Sequence, residues 1–163
     1  MEKSNTHHGE LNNADIKIGI IISRFNEPVV ENLLKGAVSA FELNGVNQSN
    51  IDIYYVPGAF EIPALLKKIC RKNTENKKFD GILTIGCVIK GETAHFEYIS
   101  GTVSDSINKI SSEFEMPLGF CVLTCYTPLQ AYERSIIPPD SKNNKGFESA
   151  LTLMEMISLM NKI

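Results

Sequence analysis

The strongest constraint on this chain is the alternation of short, β-branched apolar runs with longer stripes of helical period. Ile16 to Ser23 (IKIGIIIS), Ile51 to Val56, Gly81 to Ile89 (GILTIGCVI) and Leu118 to Thr124 are too short for helices and rich in Ile and Val, so they read as strands. Between the first two, Pro28 opens a stretch in which Val30, Leu33, Leu34, Ala37, Val38 and Phe41 recur at helical spacing. It stops at Asn44-Gly45, a favourable helix terminus. A second helix is predicted from Ala59 to Arg71, carrying Leu65, Leu66 and Ile69. Pro63 must then fall in its first turn, and the polar run Arg71 to Lys78 is a surface connection. The third helix shows Phe96, Ile99, Val103, Ile107, Ile110 and Phe114 as its inner face, and Pro117 precedes the fourth strand. A short helix from Leu129 to Ser135, a loop holding Pro138-Pro139 and a last helix from Lys145 (stripe Phe147, Leu151, Met154, Ile157) complete the chain.

Strands separated by helices make βαβ units, hence a parallel sheet with right-handed crossovers. Strands without a polar face call for helices on both sides of the sheet. The expected architecture is α/β: a three-layer αβα sandwich, flavodoxin-like, around a central four-stranded parallel sheet. At 163 residues the chain fits one domain. That domain is expected over residues 16–163, behind a polar, flexible leader over residues 1–15. The fold by itself names no reaction.

Composition narrows the partners. A formal net charge of −3 gives no reason to expect nucleic acid, and an anionic small molecule would need a local cluster of donors. No apolar run approaches the roughly 20 residues of a membrane span, and the polar start lacks the hydrophobic core of a signal peptide. No membrane partner and a cytoplasmic location are expected. The four cysteines, Cys70, Cys87, Cys121 and Cys125, contain no C-x-x-C pair and read as small buried hydrophobes. His7, His8 and His95 are too scattered for a zinc site, so no metal is expected.

In such sheets ligands bind beyond the carboxyl ends of the strands, at the switch point in strand order. Three turns collect there: Ser23-Arg24-Phe25-Asn26, Pro57-Gly58-Ala59-Phe60-Glu61, and Lys90-Gly91-Glu92-Thr93-Ala94-His95. In the third, Gly91 permits close backbone approach, and the N–H groups of Glu92 and Thr93 open a helix whose N-terminus suits an anion. Thr93 as a plain N-cap is the equal alternative. His95 follows in the first turn, where an imidazole can move protons near neutral pH, although a hydrogen-bonded structural histidine is the commoner case. Phe25 and Phe60 read either as core aromatics or as platforms for a planar ring. Glu61 at a helix start reads either as a dipole partner or as an acceptor for polyol hydroxyls.

Five segments carry a family pattern in order and spacing. They are Pro57-Gly58-Ala59-Phe60-Glu61-Ile62-Pro63, Gly86 to Tyr98 (GCVIKGETAHFEY), Val122-Leu123-Thr124, Gln130-Ala131 with Arg134, and Asn144-Lys145-Gly146 followed by Glu148. From about Ile16 to Met160 the chain resembles the lumazine synthase family. The resemblance implies condensation of 5-amino-6-(D-ribitylamino)uracil with 3,4-dihydroxy-2-butanone 4-phosphate, releasing phosphate and water, with no cofactor. It further implies that Phe25 stacks on the pyrimidinedione. Asn26, Ala59 and Glu61 would line the ribityl pocket, Phe60 would also bind substrate, and Val88 and Ile89 would flank the ring through backbone contacts. Thr93 with the Gly91 and Glu92 backbone would hold phosphate, and His95 would transfer protons. Phe120, Arg134 and Lys145 match residues that the family supplies from a neighbouring subunit, Arg134 as a phosphate clamp.

Two departures stand out. Tyr126 occupies a place near which relatives usually carry an acidic or amide residue, and the connection from Arg134 to Lys145 is longer than in many relatives. In the family a longer loop there accompanies free pentamers, so the resemblance implies a pentamer rather than a sixty-subunit capsid. Among rival readings, a lumazine or flavin carrier has no use for a phosphate clamp, and an archaeal-type riboflavin synthase shares the fold and some ligand chemistry. A flavodoxin would need a Ser/Thr-rich phosphate loop after the first strand. A receiver domain would need an Asp where this chain has Ile89-Lys90.

Overall fold

The computed structural model describes residues 4–11 and 14–163, so part of the expected leader lies outside the described residues. Nine regular elements follow one another as β1 (Ile18–Ser23), α1 (Glu27–Leu43), β2 (Ile51–Val56), α2 (Ile62–Glu75), β3 (Gly81–Ile89), α3 (His95–Phe114), β4 (Leu118–Cys125), α4 (Pro128–Glu133) and α5 (Lys145–Met160). The four strands form one parallel sheet in the order β2-β1-β3-β4. Alternation along each strand sends side chains to two apolar layers. Ile18, Ile20, Ile22, Leu83, Ile85 and Cys121 meet α1 and α5 on one face. Ile21, Ile82 and Val122 meet α2 and α3 on the other. The three-layer α/β sandwich read from the pattern is therefore the architecture observed.

The boundaries moved where local chemistry overrode the pattern. The second helix begins at Ile62 and runs through the polar stretch to Glu75, because Ala59–Glu61 form a separate 3-10 turn that puts Pro63 at the helix start. Its hydrophilic last turn needs no core contact to remain helical. β1 starts two residues later than expected, β4 extends through Cys125, and α4 ends at Glu133. Asn44 ends α1 with its amide bonded to the Ala40 carbonyl, and Gly45 takes the left-handed φ of 88° that closes the helix.

The buried stripe of α5 is displaced from the one expected. Gly146, Ala150, Leu153, Met154 and Ile157 face inward, while Phe147 and Leu151 are only partly covered. The cause is a close crossing with α1: a Cβ on Gly146 would lie 1.9 Å from the Leu33 carbonyl oxygen. Small residues at the crossing carry no hydropathy signal, so the larger neighbours dominated the sequence pattern. Asn144 fixes this junction. Its Oδ1 accepts from the N–H groups of Gly146 and Phe147 (2.9 and 3.2 Å), and its Nδ2 donates to the Asn32 and Ile136 carbonyls (3.0 and 3.1 Å). Residues 8–10 lie on the far end of α5: Lys162 donates to the His8 carbonyl, and the Glu10 N–H donates to Ser158 Oγ.

Candidate functional site

Because all strands are parallel, β1, β2 and β3 deliver their following turns to the same end of the sheet. The order reverses between β1 and β3, which opens a crevice there. That crevice has a volume of about 380 Å³. Its walls include Phe25 after β1, Ala59, Phe60 and Glu61 after β2, Val88 and Ile89 at the end of β3, and Gly91, Thr93 and His95 beyond it. Nine of the residues singled out in the sequence thus converge on one concavity.

Each wall has a local cause. The left-handed Asn26 (φ 60°), a conformation asparagine tolerates, turns the chain sharply out of β1 into α1. Its side-chain amide spans to the end of β3, donating to the Cys87 carbonyl at 2.8 Å. Asn26 therefore ties two walls together rather than lining the cavity itself. Phe25 stays 71% exposed and Phe60 56% exposed, which no packing requirement explains. Both stand on the crevice wall and not in the core. Glu61 accepts from the Gly58 N–H at 2.9 Å through one carboxylate oxygen, which closes the turn after β2 and leaves the other oxygen free of that bond.

The third turn differs from expectation in detail. The helix begins at His95, not at Glu92, and Ala94 caps it without a side-chain bond. Thr93 Oγ1 accepts from the His95 N–H at 3.4 Å, a long bond that the hydroxyl can exchange for a ligand. A Cβ built on Gly91 would meet no protein atom within 4 Å, so this backbone faces open space. Glu92 is exposed and does not line the crevice. His95 sits on the crevice wall at the first helical residue, where unpaired N–H groups favour an anion.

Gly58, from the expected turn after β2, also lines the crevice, and sequence reasoning missed Cys87, Phe96 and Ile99, which line it too. Phe96 and Ile99 were read as the inner face of α3, and they are; the first turn of α3 overhangs the end of β3, so that face looks into the cavity. Cys87 is a buried thiol on the floor. Its burial, with a smaller contribution from Cys125, pushes its pKa up to about 12, so it is no nucleophile at neutral pH.

With this geometry in place, comparison with known sequences is decisive. The sequence model of the 6,7-dimethyl-8-ribityllumazine synthase family matches residues 15–161. The chain belongs to that family. The 6,7-dimethyl-8-ribityllumazine synthases of two strains of Clostridium kluyveri are each 39% identical over 157 residues, covering 96% of this chain and 97% of their own length. Membership makes this lumazine synthase family chain a transferase of riboflavin biosynthesis.

The remaining family-pattern residues gather elsewhere. Phe120, Arg134 and Lys145 do not line the crevice. Arg134 donates from its guanidinium to the Gln130 carbonyl at 2.9 Å, and its own carbonyl accepts from the Lys145 N–H at 2.8 Å. Lys145 pairs with Glu148, and Ser149, the next residue along α5, donates to the Phe120 carbonyl at 3.2 Å. These three therefore form a second cluster along the start of α5 and the outer strand β4, with the Phe120 ring 44% exposed. Among the described residues no helix is long and apolar enough to cross a membrane, and no group of three or more His, Cys, Asp or Glu is placed to hold a metal ion.

Proposed function

We propose that the crevice is one half of the site in which 5-amino-6-(D-ribitylamino)uracil and 3,4-dihydroxy-2-butanone 4-phosphate condense to 6,7-dimethyl-8-ribityllumazine, phosphate and water. The observation that carries this reading is the convergence of Phe25, Ala59–Glu61, Val88–Ile89 and the Gly91–His95 turn on one cavity of suitable size. Phe25 stacks on the pyrimidinedione, whose edges meet the Val88 and Ile89 backbone. Phe60 and the second oxygen of Glu61 receive the ribityl chain beside Ala59, while Asn26 holds the walls at their separation. The Thr93 hydroxyl, with the Gly91 and Glu92 backbone, binds the phosphate.

His95, two residues beyond Thr93, moves protons as the substrate amine adds to the ketone and as phosphate leaves. Holding both reactants in register supplies much of the acceleration, since proximity is worth up to about 7–11 kcal/mol. No cofactor is invoked.

Phe120, Arg134 and Lys145 act on the site of a neighbouring copy, Arg134 closing over the phosphate as a bidentate donor. Support comes from their clustering away from their own crevice, on an edge strand with an exposed aromatic. The assembly is a homo-oligomer, a pentamer in preference to a sixty-subunit capsid, given the long Arg134–Lys145 connection. Both apolar layers pack on one sheet, which favours a single domain over residues 16–163 behind a leader. Four free, buried cysteines fit a reducing cytoplasm. The direct test is to supply both substrates and follow the lumazine product by absorbance and fluorescence. Binding without turnover would point to a carrier, and riboflavin formed from lumazine would point to a synthase of the later step.

A further inference from the structure

We infer that Tyr126 is a positioning residue for the Gly91–His95 turn, its ring clamping both ends of that turn and so setting affinity for the phosphorylated substrate. The inference rests on the reading of this turn as the phosphate site.

The turn is weakly held by its own bonds. The last sheet bond before it runs from the Lys90 N–H to the Cys125 carbonyl at 2.9 Å. Beyond that, His95 N–H to Thr93 Oγ1 is 3.4 Å and Tyr98 N–H to the Ala94 carbonyl is 3.5 Å, both long. Residues 91–95 are all exposed. Whatever fixes the turn must therefore act on its flanks, Lys90 on one side and Phe96-Glu97 on the other.

Tyr126 reaches both. Its ring centroid lies 5.9 Å from that of Phe96 at an interplanar angle of 41°, and the Lys90 ammonium lies 5.6 Å from the same Tyr126 centroid. Lys90 also pairs with Glu97 at 3.4 Å, which ties the two flanking side chains to each other. Tyr126 is the side chain that holds both flanks from β4. It stands at the junction of β4 and α4, with its own N–H bonded to the Gln130 side chain at 2.8 Å. Phe96 is itself a wall of the crevice, so the clamp acts directly on the cavity.

At 67% exposure the Tyr126 ring fills no core space, and its loss leaves no cavity in the fold. The cost falls instead on the order of the turn before substrate binds. A free turn must be ordered by the ligand, which weakens binding of that ligand alone. Once phosphate is seated, the chemical step starts from the same geometry. The effect should thus appear in the KM for the ketose phosphate and not in kcat.

The test is steady-state kinetics with each substrate varied in turn, on the wild type, Tyr126→Ala, Tyr126→Phe and Lys90→Met, alongside calorimetric titration with inorganic phosphate. Loss of one aromatic and one cation–ring contact predicts that Tyr126→Ala raises the ketose phosphate KM about fivefold. The pyrimidinedione KM and kcat should stay within about twofold, and inorganic phosphate should bind correspondingly more weakly. Tyr126→Phe, which keeps the ring, should match the wild type, and Lys90→Met should shift the same KM by a smaller factor. Equal shifts in both KM values, an unchanged ketose phosphate KM, or Phe failing to rescue would overturn the proposal. Should Tyr126→Ala not fold, an unchanged KM in Lys90→Met would overturn it alone. A wild type that binds phosphate without turnover would refute the assigned reaction, and Tyr126 would still stand or fall on phosphate affinity.

Discussion

Asn144 is the residue whose removal should cost this fold most for its size. It is buried, and its side chain makes four hydrogen bonds that join α5 to α1 and to the connection before α5. In Asn144→Ala the loss of the helix cap costs about 1 kcal/mol. The partly buried Asn32 and Ile136 carbonyls lose a donor each, at about 1 kcal/mol apiece. The sum is about 3 kcal/mol, or a fall in melting temperature of roughly 6–12 °C for a chain of this size. Asn144→Ser keeps an acceptor for the helix N-terminus and loses only the donors, so it should recover about 1 kcal/mol of the loss. Urea and thermal unfolding at one fixed protein concentration measure both, since association adds to apparent stability. An Ala variant within about 0.5 kcal/mol of the wild type would refute the additive reasoning. Equal losses in Ala and Ser would show that the cap contributes nothing.

Four further outcomes are expected. His95→Ala should lower kcat by about 10²-fold without abolishing product formation, and full activity across the pH range would exclude the proton-transfer role. Gly36→Ala should destabilise by more than about 1 kcal/mol, because its Cβ would lie 2.1 Å from Asn144 Oδ1; an unchanged melting temperature would show that the crossing relaxes freely. Burial raises the pKa of Cys70 to about 11 and of Cys87 and Cys121 to about 12, above a usual thiol value of 9.0. Folded thiols hold their protons where unfolded ones lose them, so stability from this source is intact below pH 9.0 and declines as pH rises towards about 12; a thiol reagent at neutral pH should label these three slowly in the native protein. Finally, the impaired His95→Ala and Arg134→Ala chains reassembled together should regain about a quarter of wild-type activity, the fraction of interfaces with both intact residues, and no recovery above the separate variants would place each site within one chain.

Much of this architecture was legible because parallel sheets bury both faces. The runs at 51–56 and 81–89 coincide with β2 and β3 residue for residue. The start of the last helix at Lys145 was also legible, and the structure adds the Asn144 cap that fixes it. What escaped was carried by residues with little hydropathy signal. Gly146 and Ala150 govern the α1–α5 crossing, yet the pattern favoured Phe147 and Leu151. At the crevice, the turns after the strands were found from topology alone, whereas Phe96 and Ile99 were hidden within an ordinary helical stripe. Asn26 was read as a pocket residue, and nothing in its sequence context announces a bond to a carbonyl 61 positions away.

The two clusters also explain why one chain should not suffice. The Thr93–His95 turn starts α3, which packs on the face of the sheet shared with α2. Lys145 starts α5, which packs with α1 on the opposite face, and Arg134 is bonded to it through the backbone. The two helices lie in the two outer layers of the sandwich, while the proposed phosphate clamp needs donors within about 3 Å of the same oxygens. Neither α3 nor α5 can swing through the sheet without breaking a buried core. On the proposed reading the second cluster, which does not line its own crevice, serves the crevice of a neighbouring copy. Another copy, presenting its own β4 edge and α5 start, would bring Arg134 over the crevice on that reading, and the exposed Phe120 ring is where such a copy would bury apolar surface.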